Sequence, residues 1–171
     1  LVGSEMCIRD RTGAMNMMMD DKAYGLSKRK VTLSTSGLIP LIDKLSEVTD
    51  AALTISLHAP NDQLRNELVP INKKYPIKKL IESVIRYVDK CGDRRKTTIE
   101  YILIDRVNDS IENAHELCEL LKMIPCKVNL IPFNPFPGSS YKRPSSMRIQ
   151  TFKKILQKEG YITTIRTTRG E

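Results

Sequence analysis

The sequence predicts an α/β fold on a parallel sheet, and three observations predict it. Short apolar, β-branched runs alternate with helical patterns four times and end on one more strand-like run. The runs stop at small polar residues before a helix start, most clearly in LTISLHAPND, residues 53–62. The segment 77–88 places Ile77, Leu80, Ile81, Val84, Ile85 and Val88 on one helical face, so the connections between strands are long enough to cross over a sheet.

The elements follow in order. AMNMMMDDK (14–22) reads as the end of a helix whose methionines face the core. A basic loop, GLSKRK (25–30), leads into a strand at 31–35, closed by Ser34, Thr35, Ser36 and Gly37. Pro40 suits the first turn of the next helix, with Leu41, Leu45 and Val48 as its apolar face. The second strand starts near Ala51 and ends at Ser56-Leu57-His58, and a short helix covers 62–69. After the amphipathic helix and the basic turn CGDRRK (91–96), TTIEYILI (97–104) reads as near-continuously apolar, the pattern of a strand buried on both faces.

Asp109 and Glu112 suggest a capping box for a helix that buries Ile111, Ala114, Leu117, Cys118 and Leu121. KVNLI (127–131) is a fourth strand, broken by PFNPFPG. A last helix carries Ile149, Phe152, Ile155 and Leu156 and stops before Gly160, and YITTIR (161–166) is the fifth strand. Right-handed crossovers put all the carboxyl ends on one rim, the edge where α/β folds bind ligands. That rim would hold Ser34-Thr35-Ser36, Ser56-Leu57-His58, Asp105 and Asn134. It has no nucleophile–base pair and no pair of carboxylates, so it suits holding a polar ligand better than unaided chemistry.

Composition bounds the rest. Lysine and arginine number 28 against 20 acids, a net charge of +8 that fits a polyanion such as nucleic acid as well as a solvated surface. No apolar run approaches the roughly 20 residues a bilayer span needs, so no membrane partner is expected and a cytoplasmic location is the default. Cys7, Cys91, Cys118 and Cys126 show no metal-ligand spacing, and no metal site is expected in the chain. Residues 1–11 match nothing that follows and are expected to be a non-native leader, leaving 12–171 as the native part.

Four long motifs carry a family likeness: GLSKRKVTLSTSG, ISLHAPND with LVPINKKYP, TIEYILIDRVND, and VNLIPFNPFPG followed by IRTTRG. From about residue 14 to 171 the chain resembles the RlmN-type radical SAM methyltransferases, dual-specificity enzymes acting on adenine C2 in 23S rRNA and tRNA. The resemblance implies a partial six-stranded (β/α) barrel, incomplete here, with this chain supplying strands three to six. It implies S-adenosyl-L-methionine as cofactor, contacted by Ser34, Ser56, Leu57, His58 and Asn134. It also implies a [4Fe–4S] cluster whose C-x3-C-x2-C ligands lie outside this chain, and a flavodoxin-type electron donor.

In that family a methylated cysteine carries the new carbon, a route suited to a position with no ionisable proton. That cysteine is expected a few residues after Arg169-Gly170. None of the four cysteines sits in either motif, so no catalytic residue is assigned and the chain alone is expected to be inactive. Two other readings stay open: a Cfr-type adenine C8 methyltransferase, against which NPFPG and RTTRG speak, and a non-catalytic RNA-binding remnant.

Overall fold

The structure, a computed structural model, describes residues 4–27, 30–49, 51–91 and 97–166 of the chain. Lys28, the basic turn 92–96 and Arg169-Gly170 lie outside the described residues. The elements in chain order are α1 (Ser4–Met19), β1 (Thr32–Thr35), α2 (Ile39–Val48), β2 (Ala52–Ser56), α3 (Asp62–Leu68), a 3-10 turn (Pro70–Lys73), α4 (Ile77–Lys90), β3 (Thr97–Leu103), α5 (Ile111–Leu121), β4 (Cys126–Pro132), α6 (Ser146–Lys158) and β5 (Ile162–Ile165).

All five strands pair in parallel, in the order β1-β2-β3-β4-β5. A sheet whose spatial order equals its chain order never reverses direction, so every right-handed crossover lands on the same face. That is the winding of a barrel rather than of a doubly wound sheet, whose strand order turns back on itself. One core results. Ile42 and Leu45 of α2, Leu80 and Val84 of α4, Leu117 and Leu121 of α5, and Phe152 and Leu156 of α6 meet Leu53, Ile55, Ile99, Tyr101, Leu103, Val128 and Leu130 of the sheet.

The helices form where their periodicity meets that core. α4 buries Ile77, Leu80, Ile81 and Val84, each contributing about 1.5–3 kcal/mol. The same helix buries two polar groups with partners: the Tyr87 hydroxyl donates to Ala51 O at 2.8 Å, and Ser83 Oγ to Asp43 Oδ1 at 2.8 Å. Pro40 lies in the first turn of α2, as expected. Gly160 takes φ 91° just past α6, a conformation that favours glycine.

Several expectations are corrected. α5 is capped by Ser110, not Asp109: Ser110 Oγ accepts from Asn113 N at 3.1 Å, and Asn113 Oδ1 accepts from Ser110 N at 3.4 Å. Ile111 therefore falls in the first turn facing water, 53% exposed, rather than in the core. On α2 the buried pair is Ile42 and Leu45, while Val48 is 50% exposed. Of the methionines at 15–19, Met15 is buried and packs with Val31 and Ala51, Met19 is half-buried against them, and Met17 and Met18 face out.

β3 is the most informative difference. Thr97, Ile99, Tyr101 and Leu103 are buried, while Thr98, Glu100 and Ile102 between them are only half-buried. The strand is thus covered by helices on one face and open on the other. The β-branched residues Thr98 and Ile102 disguise the alternation in the sequence.

Candidate functional site

The open face of the sheet is polar. In-register neighbours of a parallel sheet project to the same side, so Ser34, Thr54, Thr98 and Lys127 form one row. Ser56, Glu100, Asn129 and Thr164 form the next row toward the rim. Two hydrogen bonds run along this second row: Ser56 Oγ donates to Glu100 Oε2 at 3.4 Å, and Thr164 Oγ1 to Asn129 Oδ1 at 3.1 Å. A closed (β/α) barrel fills this face with packed branched side chains. Here hydroxyls, an amide, a carboxylate and the Lys127 amine line it, together with Ile102, Ile131 and Ile162.

At the carboxyl end of β2 the chain makes the turn Ser56-Leu57-His58. Leu57 N and His58 N both donate to Glu100 O, at 3.0 and 3.3 Å, which carries β2 past its last ladder pair and onto β3. The Leu57 side chain is fully buried in the core, so what it presents to the rim is backbone. His58 sits at φ 63°, an uncommon conformation for a residue with a side chain. Asn108, fully buried, holds it there. Its Nδ2 donates to His58 O at 2.8 Å and to Ile102 O at 2.7 Å, while its Oδ1 accepts from Ile104 N at 2.8 Å. Tyr101 Oη in turn donates to Asn108 O at 2.8 Å.

His58 Nδ1 accepts from Ile102 N at 3.2 Å, which fixes the tautomer. The proton of the neutral ring must be on Nε2, leaving an N–H donor for a ligand. Burial, and secondarily the positive charge of Arg65, pull the imidazole down from 6.5 to about 4. His58 is therefore neutral near pH 7, a hydrogen-bond donor rather than a cation.

The organiser of the rim is Arg65 on α3, fully buried. Its Nε donates to Leu57 O at 3.0 Å, Nη1 to Asn72 Oδ1 at 2.8 Å, and Nη2 to Ser36 O at 2.7 Å and Ser56 O at 3.3 Å. One guanidinium thus ties the end of β1 to the end of β2. Asn72 passes the connection to Asp62, whose Oδ1 accepts from Asn72 Nδ2 at 2.7 Å and from Ile77 N at 2.9 Å. Burial lowers Arg65 to about 10, opposed by the Asp62 charge, so it stays protonated. Gly37, at φ 104°, leaves room for this: a Cβ there would lie 3.0 Å from Leu80 Cδ2 and 3.3 Å from Arg65 Nη2.

The structure gathers the expected site residues unequally. Ser34 is exposed on β1, one row below Ser56. Ser56 and His58 flank the same turn. Asn134 is exposed just beyond β4, two strands from that turn, or about 10 Å at ~4.8 Å per strand. Asp105 faces away from ligand duty: it is held by Arg148 Nη1 at 3.3 Å and Arg106 Nε at 3.8 Å. Sequence reasoning did not single out Arg65, Glu100 or Asn108.

A (β/α) winding with its helices on one face and a largely polar open face on the other defines a partial-barrel core. Solved structures share this fold. A radical SAM methyltransferase from Sphaerobacter thermophilus superposes with a TM-score of 0.82 at 48% identity, over 90% of this chain and 45% of that one. A domain of pyruvate-formate lyase-activating enzyme from Bacteroides vulgatus shares the fold, with a TM-score of 0.67 at 18% identity over 94% of this chain and 93% of that one. No family model matches the chain.

The particular relatives are more specific. Curated proteins named dual-specificity RNA methyltransferase RlmN match at 61% identity in Marinobacter nauticus, 65% in Saccharophagus degradans and 59% in Pseudomonas fluorescens, each over 92% of this chain. The resemblance to the RlmN-type enzymes thus holds across nearly the whole sequence. The chain spans about two-fifths of the length of those relatives, 40–43%.

Proposed function

We propose that residues 12–171 are part of the core of a radical SAM RNA methyltransferase, and that their rim forms one wall of its S-adenosyl-L-methionine site. The observation that carries this is the locked Ser56-Leu57-His58 turn, with a neutral imidazole donor, standing over the polar open face of the sheet. An adenosylmethionine offers a purine, a ribose diol and an amino-acid head, so it needs donors and acceptors rather than a nucleophile. The hydroxyls of Ser34 and Ser56, the Nε2–H of His58 and the amide of Asn134 supply them, with Leu57 contributing main chain. When bound, the group supplies the methyl carbon; the residues of this chain bind and orient it and exclude water.

The described residues do not by themselves fit a [4Fe–4S] cluster. Among the described residues, no group of three His, Cys, Asp or Glu side chains could hold a metal. Burial pushes the Cys118 thiol up to about 11, further from the thiolate a metal needs. Cluster ligation therefore belongs to a part of the protein other than these residues.

In the whole protein, the reading is methylation of adenine C2 in 23S rRNA and tRNA in the cytoplasm, with electrons from a flavodoxin-type donor. The +8 charge suits a polyanionic substrate. No described helix is long and apolar enough to cross a membrane.

A chimera tests the proposal. Residues 14–171 replace the matching stretch of the Saccharophagus degradans relative, and the product is reconstituted anaerobically and given RNA. Mass spectrometry should find 2-methyladenosine. An 8-methyl product, or no product from a folded and cluster-loaded chimera, would contradict the reading.

A further inference from the structure

We infer that Glu100 and Ser56 together read the ribose diol of the nucleoside ligand, making Glu100 a binding and specificity residue of the chamber. The inference rests on the adenosylmethionine reading above and goes beyond it by assigning a residue and a chemical group.

Glu100 lies in register with Ser56 on the open face of the sheet, one strand over and immediately beneath the His58 turn. Its backbone oxygen holds that turn, so its side chain leaves the sheet at the level of the proposed site. The carboxylate is half-buried, and its one side-chain partner among the described residues is Ser56, at the long distance of 3.4 Å. No described cation pairs with it, although lysine and arginine outnumber acids in this chain.

The proton count then selects the ligand group. The single hydroxyl hydrogen of Ser56 is donated to Glu100, so Ser56 Oγ keeps only lone pairs toward the chamber. An ionised carboxylate has lone pairs alone. The pair therefore presents two adjacent acceptors and no donor. A vicinal diol is the complementary group, offering two O–H donors on neighbouring carbons. Recognition of ribose hydroxyls by an acidic side chain at a strand end is an established solution in α/β folds. His58 Nε2–H and Asn134, as donors, are left for acceptor atoms elsewhere on the ligand.

The test uses the 171-residue chain, isotopically labelled, with binding followed by NMR so that weak affinities are read. The probes are S-adenosylmethionine and S-adenosylhomocysteine, whose sulfur carries no charge, each with its 2′-deoxy and 3′-deoxy counterparts. The parent chain should bind the ribo compound more tightly than either deoxy compound. Glu100→Ala should weaken the ribo compound about 10–100-fold, the loss of a charge-assisted hydrogen bond, and leave nearly unchanged the deoxy compound that lacks the hydroxyl facing Glu100. Glu100→Gln, which restores shape but brings a donor, should also lose the preference for ribose.

A thermal melt checks that both variants fold. Binding by the parent with ribose preference intact in Glu100→Ala overturns the inference and leaves the proposed function standing. A greater loss for S-adenosylmethionine than for S-adenosylhomocysteine, equal across ribo and deoxy forms, overturns it in favour of a counter-ion for the sulfonium. Failure of the parent to bind any adenosyl probe removes the proposed function and the inference with it.

Discussion

Replacing Arg65 with methionine should bring the chain close to unfolding. The side chain is fully buried and its three nitrogens donate to three main-chain carbonyls and one amide oxygen. Methionine fills much of the volume but leaves Ser36 O, Ser56 O, Leu57 O and Asn72 Oδ1 without that donor. It also leaves the Asp62 charge without its nearby cation. Removing one member of such a buried charged network costs about 3–5 kcal/mol. A domain of this size stands on about 5–15 kcal/mol in all.

At about 2–4 °C per kcal/mol for a chain of this length, the melting midpoint should fall by roughly 6–20 °C. Arg65→Lys keeps the charge but has one nitrogen, which cannot reach acceptors on three segments at once. It should lie between the two. Circular dichroism melts of the three proteins give the comparison. A methionine variant melting within about 2 °C of the parent would refute the claim that Arg65 pins the two strand ends.

Acid should weaken the fold through His58. Its value is about 4 in the folded chain against 6.5 when unfolded, so the unfolded state takes up the proton first. The contribution is fully present above about pH 6.5, is lost as pH falls toward 4, and is constant below that. At ~1.4 kcal/mol per unit, the parent should lose about 2–3 kcal/mol more than His58→Asn between pH 7 and pH 4.5 in urea titrations; asparagine tolerates the left-handed backbone. Equal losses would show that the imidazole titrates freely.

Asn108→Ala removes three side-chain hydrogen bonds and should cost roughly 2–4 kcal/mol by denaturant titration. Asn108→Asp should be worse, because a carboxylate would face the carbonyls of His58 and Ile102. Ser110→Ala should cost about 1 kcal/mol as a lost helix cap, and a loss below about 0.3 kcal/mol would contradict the assignment of the cap.

What the sequence showed, it showed through local pattern. α4 was legible because one face of it is consistently apolar, and the strand ends because proline and glycine punctuate them. The helix start at 109–111 was misplaced by one residue because Asp109 and Ser110 can both cap and only the path of the chain selects between them. The open face of β3 was hidden because Thr98 and Ile102 look like core residues in a one-dimensional reading. Arg65 was invisible for a different reason: its acceptors are mostly backbone carbonyls, which leave no mark in a sequence. Glu100 and Ser56 lie 44 residues apart and meet only through the register of β2 on β3. The family likeness reached five rim residues, and the structure adds what holds that rim in shape.

The measurement that bears most directly on the central claim is an NMR titration of the chain with S-adenosylhomocysteine. Shifts should concentrate at Ser34, Ser56, His58, Glu100 and Asn134, with the His58 Nε2–H resonance moving as it gains an acceptor. An absence of shifts at millimolar ligand, or shifts confined to the helical face of the sheet, would contradict the assignment of this rim as an adenosylmethionine wall.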